Sequence, residues 1–192
     1  MTENIQKIIK NILRDIQVEL TDEFDQNFER QAFFSEAWQR RKSPTRPGGH
    51  ILVDTGQLRR SIHSRTTDNA ITFYTDLPYA AIHNEGGEII VTTKMKKFFW
   101  HKYYEATGAF TRKKSGHTRK KNSSPTGGGR EGAPEAEFWK FLALKKVGTT
   151  IRIPRRQFLG TAPEVEQAVR NIIEENITVY IDHAIDFEIK NP

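Results

Sequence analysis

The chain has 192 residues, no cysteine, and 30 Lys and Arg against 24 Asp and Glu, for a net charge of +6. The missing thiols exclude disulfides and thiolate metal sites, and no run approaches the ~20 apolar residues that a membrane span needs. The opening Thr2-Glu3-Asn4-Ile5-Gln6-Lys7 has no apolar signal-peptide core, so the expectation is a soluble, non-secreted protein of one domain, or of one domain with a large insertion.

Ile5, Ile8, Ile9, Ile12, Leu13, Ile16 and Leu20 recur at helical spacing opposite Lys7, Lys10, Arg14 and Asp15. They predict an amphipathic helix capped by Thr2, which Phe24 and Phe28 extend. Phe33, Phe34 and Trp38 precede the turn-rich Ser43-Pro44-Thr45-Arg46-Pro47-Gly48-Gly49. Thr55 is positioned to cap a short helix through Leu58, Arg59, Arg60 and Ile62. Alternation in Ile71-Thr72-Phe73-Tyr74-Thr75 predicts a strand, paired antiparallel with Ser61 to Arg65. Tyr79 to His83 suits one or two helical turns that Gly86-Gly87 stop. Residues 89–92 and 150–153 read as two more strands, paired across everything between them. Thr161-Ala162-Pro163-Glu164 reads as a capping box. It opens a helix on Val165, Val169, Ile172, Ile173 and Ile177 that runs to about Ile185 and is long enough for its far end to meet another subunit.

The segment 94–147 has a different texture. Fourteen Lys and Arg face four Glu, a local charge of +10, so the remainder carries −4. Met95 to Ala106 predicts a helix rich in aromatics and lysines, and Glu135 to Leu144 a second one. Between them, residues 107–134 have a Gly, Ser, Lys and Arg composition that buries no core and predicts mobility. Within the insertion Lys96, Lys97, Lys102, Arg112, Lys113, Lys114, Arg119, Lys120 and Lys121 are the candidate basic contacts.

Three segments taken in order carry a resemblance: Leu52-Val53-Asp54-Thr55-Gly56-Gln57-Leu58-Arg59-Arg60-Ser61-Ile62, Tyr79-Ala80-Ala81-Ile82-His83-Asn84-Glu85-Gly86-Gly87, and Ile153-Pro154-Arg155-Arg156-Gln157-Phe158-Leu159-Gly160. Flanked by Ile-rich helices, they resemble the phage virion morphogenesis family, the tail-completion and head–tail joining proteins of tailed phages. The third segment departs from the family pattern at Arg156 and Gln157. The resemblance implies a structural protein without a cofactor, found in the virion and in the host cytoplasm during assembly. It further implies a ring-type homo-oligomer that docks on other tail or neck proteins, with nonspecific DNA contact as a further possibility and no membrane partner. Its scaffold and interaction candidates are Trp38, Leu58, Tyr79, His83, Gly86, Gly87, Pro154, Arg155, Phe158 and Gly160. The expected fold is α+β, a small antiparallel sheet packed by long N- and C-terminal helices, with a long basic insertion in one hairpin. The domain map is 1–93 plus 148–192 for the assembly domain and 94–147 for the basic, aromatic-containing and partly disordered insertion.

Asp54-Thr55-Gly56 after an apolar run resembles the triplet of retroviral-type aspartic proteases, where two carboxylates share a proton. Those enzymes are almost wholly β, and Gln57-Leu58-Arg59-Arg60 puts bulky cations where small residues belong, so a structural cap is the alternative role for Asp54-Thr55. His83-Asn84-Glu85 has the form of a zinc deaminase signature without its Cys ligands, and no histidines fall in metal-binding pairs. Thr126-Gly127-Gly128-Gly129-Arg130 lacks the ending of a phosphate loop. Basic and aromatic residues at Lys96 to Tyr104 allow a nucleic-acid platform as the runner-up to assembly.

Overall fold

A computed structural model describes residues 2–45, 48–109 and 132–190, with side chains from Ile5 to Asp182. Arg112, Lys113, Lys114, Arg119, Lys120, Lys121 and most of the 107–134 segment lie outside the described residues. The chain divides into two compact units: 1–39, 49–86 and 154–192 form the first, and 40–48 with 87–153 the second. The division falls at Gly86/Gly87 and Ile153/Pro154 rather than at 93 and 148, so a hairpin and its two helices stand together.

In the first unit the N-terminal periodicity becomes one helix, α1, Thr2–Arg30. Gln31 (φ 54°) and Phe34 (φ 51°) turn the chain into two short paired strands, β1 (Ala32–Phe33) and β2 (Glu36–Ala37). The fully buried Asn27 secures that turn, its Oδ1 accepting from the Phe34 N–H at 2.9 Å. This small hairpin left no alternating pattern in the sequence because two residues per strand are too few for one.

A short helix α2, Gln57–Arg60, leads into β3 (Ile62–Thr66), which pairs antiparallel with β4 (Ile71–Thr75) in the register His63 to Tyr74 and Arg65 to Thr72. The cap of α2 is Gly56 in the left-handed conformation, without a side-chain cap bond. Thr55 sits one residue too early for that role, its Oγ1 instead accepting from the Gln57 N–H at 3.4 Å. Next come α3, Ala80–Glu85, and the final helix α6, Pro163–Lys190, which at ~1.5 Å per residue is about 42 Å long. The Glu166 N–H donates to the Ala162 carbonyl at 3.2 Å, so α6 starts one residue later than a capping box with Thr161 at the cap requires, and Glu164 Oε1 accepts from the Ser35 hydroxyl at 2.6 Å.

Two apolar clusters hold this unit. Ile16, Leu20, Phe24 and Phe33 pack with Phe73 from β4 and with Val165, Val169 and Ile172 from α6. Phe24 and Phe73 meet edge to face at 5.1 Å, a geometry that adds about 0.5–1.5 kcal/mol to area burial. Phe28, Trp38, Ile51, Leu58, Ala80 and Phe158 form the second cluster.

The second unit contains β5 (Gly87–Ile90) paired antiparallel with β6 (Thr150–Ile153), and two helices, α4 (Thr93–Ala106) and α5 (Pro134–Leu144). Thr92 caps α4, its Oγ1 accepting from the Met95 N–H at 3.2 Å, and Pro134 opens α5 where its missing N–H costs nothing. Phe99 stacks on Trp139 at 6.2 Å across the two helices. The class is α+β with long terminal helices. Among the described residues, however, the strands form three separate antiparallel pairs rather than one sheet; the β3–β4 pair turns Ile62, Ile71 and Phe73 onto α1 and α6 instead of onto another strand.

Candidate functional site

The second and third motif segments are hydrogen-bonded to each other in the first unit, and the first segment joins them through Leu58 in a shared apolar cluster. Asn84 Oδ1, at the end of α3, accepts from the N–H groups of Phe158 and Leu159 at 2.9 and 3.1 Å. The Arg156 N–H donates to the His83 carbonyl at 2.8 Å. Trp38 Nε1–H donates to the Gln157 carbonyl at 2.6 Å, and Arg156 Nε–H to the Gln39 carbonyl at 3.1 Å. Leu58 and Phe158 fill the cluster beneath, at 5% and 1% exposure, and Phe28 touches both the Trp38 and Phe158 rings.

Glycine is required at the join. Gly86 ends α3 at φ 76°, ψ −177°, and a Cβ there would lie 2.7 Å from the Arg155 backbone nitrogen. Gly87 begins β5 opposite Ile153. Gly160 has φ 139°, with only the flexible Gln157 side chain close by. Pro154 is half-buried, and Arg155 is exposed and bonds Gln157 Oε1.

Tyr79 is 41% exposed, with its ring edge on to His83 at 6.1 Å. His83 Nδ1 is buried and has no hydrogen-bond partner among the described residues. Burial, and then the Arg156 charge, push the His83 pKa below its usual 6.5. The shift favours the neutral imidazole.

Sequence reading missed Asn84, Asn27 and the anchoring role of Arg59. Arg59 Nε and Nη2 grip both oxygens of Asp25 at 2.5 Å, and Nη1 bonds Glu29, tying α2 to α1. The guanidinium holds the Asp25 carboxyl below its usual range. The signal was Asp25 and Glu29 four apart on one helix face, but nothing in the sequence showed which cation would meet them.

Asp54 is exposed and lies between Val53 and the Gly56 cap. No group of three or more His, Cys, Asp or Glu among the described residues converges as metal ligands. Among the described residues, the motifs build a scaffold braced by these hydrogen bonds and by the apolar cluster beneath them. Residues 3–178 match the phage virion morphogenesis family. The chain belongs to that family. No curated protein and no solved structure matches it. Family membership makes this a virion morphogenesis protein, and the match runs through the basic segment as well as its flanks.

Net charge differs sharply between the two units of this family member. The first contains 11 Lys and Arg against 19 Asp and Glu, a charge of −8; the second contains 19 against 5, a charge of +14. On α4, Lys97 is exposed, Lys96 and Lys102 are half-buried, and Lys102 pairs with Glu105 at 2.7 Å. The aromatics there are largely engaged with one another: Trp100 stacks on Tyr104 at 5.9 Å, and Phe98 meets Trp139 edge on at 6.0 Å. Among the described residues no helix is long and apolar enough to cross a membrane.

Proposed function

We propose that this protein completes the tail or joins it to the head, at the head-proximal end of the tail, by associating with itself into a ring and docking on neighbouring tail or neck proteins. The observation that carries this reading is the use made of the motif residues. Trp38, Leu58, Asn84, Gly86 and Phe158 are consumed in bracing one unit, which leaves recognition to exposed apolar and charged surfaces rather than to a reactive centre. Ring formation needs a heterologous interface whose rotation closes. Deleting the gene from the phage or prophage tests the role: electron micrographs of the lysate should show heads and tails that fail to join. Intact infectious virions from the deletion would refute it.

The +14 unit gives a second reading, a nucleic-acid-binding protein. Opposing it, the rings that would stack on bases already stack on one another. Fluorescence anisotropy with duplex DNA near physiological salt should show binding no tighter than the nonspecific range of roughly 1–100 µM. Much tighter binding that is lost on Trp100→Ala would favour the second reading.

A further inference from the structure

We propose that two specific helix faces form the self-association contact: the apolar, basic edge of α5 on one copy seats against the apolar, acidic face of α6 on the next. This inference rests on the ring reading above and names its surfaces. On α5, Phe141 and Leu144 lie three residues apart on one face, and Val147 follows just past the helix end. They are 62%, 63% and 57% exposed. Lys145 and Lys146 border this strip, and Lys145 Nζ lies 5.0 Å from the centre of the Phe141 ring. Three large apolar side chains in such a short stretch, all more than half exposed, are material for an interface rather than ordinary scatter.

The complementary face lies on the other unit of the same chain. Along α6, Ile177, Tyr180 and Ile181 stand at helical spacing and are 44%, 40% and 48% exposed. Glu174, one turn before Ile177, and Glu175 and Asp182 beside the stripe are exposed carboxylates. Nearer its start, α6 packs Val165, Val169 and Ile172 with the apolar residues of α1, whereas the later stretch leaves Ile177, Tyr180 and Ile181 40–48% exposed.

Charge and hydropathy therefore match in pairs, apolar strip to apolar strip with lysines opposite carboxylates, and the +14 and −8 units provide the long-range attraction. A second copy is favoured over duplex DNA as the occupant. A phosphate backbone would satisfy Lys145 and Lys146 but would leave Leu144 and Val147 in water, whereas a helix face carrying isoleucine and tyrosine covers them. Because the two faces are different, each copy presents one of each, which makes the contact heterologous and able to propagate around a ring.

The test uses charge-reversed full-length chains. One variant, K145E with K146E, alters the basic face, and the other, E174K with D182K, alters the acidic one. Light scattering after size exclusion gives the mass of each, and circular dichroism checks folding. F141S with L144S is the uncharged check, since both side chains are largely exposed. The wild type is expected to be oligomeric and to dissociate as salt is raised, and each variant to be monomeric or at least tenfold weaker in association. An equimolar mixture of the two charge variants presents one native pair of faces and one pair reversed on both sides, so it should assemble with the two variants alternating, and a chain carrying all four reversals should assemble again. An oligomeric wild type with unchanged variants would overturn these surfaces while leaving the ring standing. A wild type that is monomeric at every concentration would overturn both. Variants that keep their oligomeric state but lose affinity for a duplex would reassign the basic edge to nucleic acid.

Discussion

Gly86→Ala puts the motif junction under the most direct strain. Its φ of 76° and ψ of −177° lie in a region that is essentially glycine-only, where a side chain costs on the order of 1–3 kcal/mol. The new Cβ would also stand 2.7 Å from Arg155 N and 3.0 Å from Arg155 Cα. Those are backbone atoms that cannot rotate aside, and the segment that follows is pinned by the Arg156 bond to His83 and by both N–H bonds to Asn84. With about 1–3 kcal/mol more for the overpacking, the two terms come to about 2–6 kcal/mol, a large share of the 5–15 kcal/mol that stabilises a typical domain. Gly56→Ala is the matched control in the same unit. Its φ is 75°, but its ψ of 6° is ordinary left-handed helix, and the atom nearest its Cβ is the flexible Arg60 guanidinium at 2.8 Å, so about 1–2 kcal/mol is expected there. Urea denaturation with 5-fluorotryptophan resonances separates Trp38, the reporter of this unit, from Trp100 and Trp139. A Gly86→Ala midpoint loss no larger than that of Gly56→Ala would refute the close-approach argument.

Asn84→Ala leaves the Phe158 and Leu159 N–H groups without their acceptor and should cost about 2–4 kcal/mol in the same assay; a loss below about 0.5 kcal/mol would show that water replaces the side chain freely. Arg59→Ala should destabilise the first unit by about 1 kcal/mol, discounted because Asp25 is 45% exposed. With its folded pKa depressed below 3.8, Asp25 adds stability that is present above that value and lost as pH falls through the folded pKa, so acid unfolding of Arg59→Ala should have a shallower dependence below about pH 4. His83 also has a lowered folded pKa, from burial first and Arg156 second, and the unfolded chain therefore takes up its proton before the folded one does. Stability should be full above pH 6.5 and decline as pH falls below it, and His83→Gln should flatten that decline. A wild-type midpoint that does not change between pH 7 and pH 5 would contradict the buried placement of the ring.

Local signals in the sequence determined the helices and two of the strand pairs. The helically spaced isoleucines of α1, the Gly86 stop after α3 and the pairing of β3 with β4 arise from periodicity and turn chemistry within a few residues of each position, whereas β5 and β6 were legible as strands that flank the insertion. The family was legible for a related reason, since three ordered motifs survive as linear strings, including the Pro154-Arg155 and Gly86-Gly87 pairs. Partners across long stretches of chain were decided only by the tertiary structure. Asn84 finds Phe158, Trp38 finds Gln157 and Arg59 finds Asp25 because apolar packing of Phe28, Leu58 and Phe158 holds those stretches together, and a hydrogen-bond donor in a sequence carries no record of its distant acceptor. The same holds for the sheet. Each strand's alternation states that one face is covered, but whether a strand or a helix covers it depends on the depth of the core, and here α1 and α6 take the place of further strands.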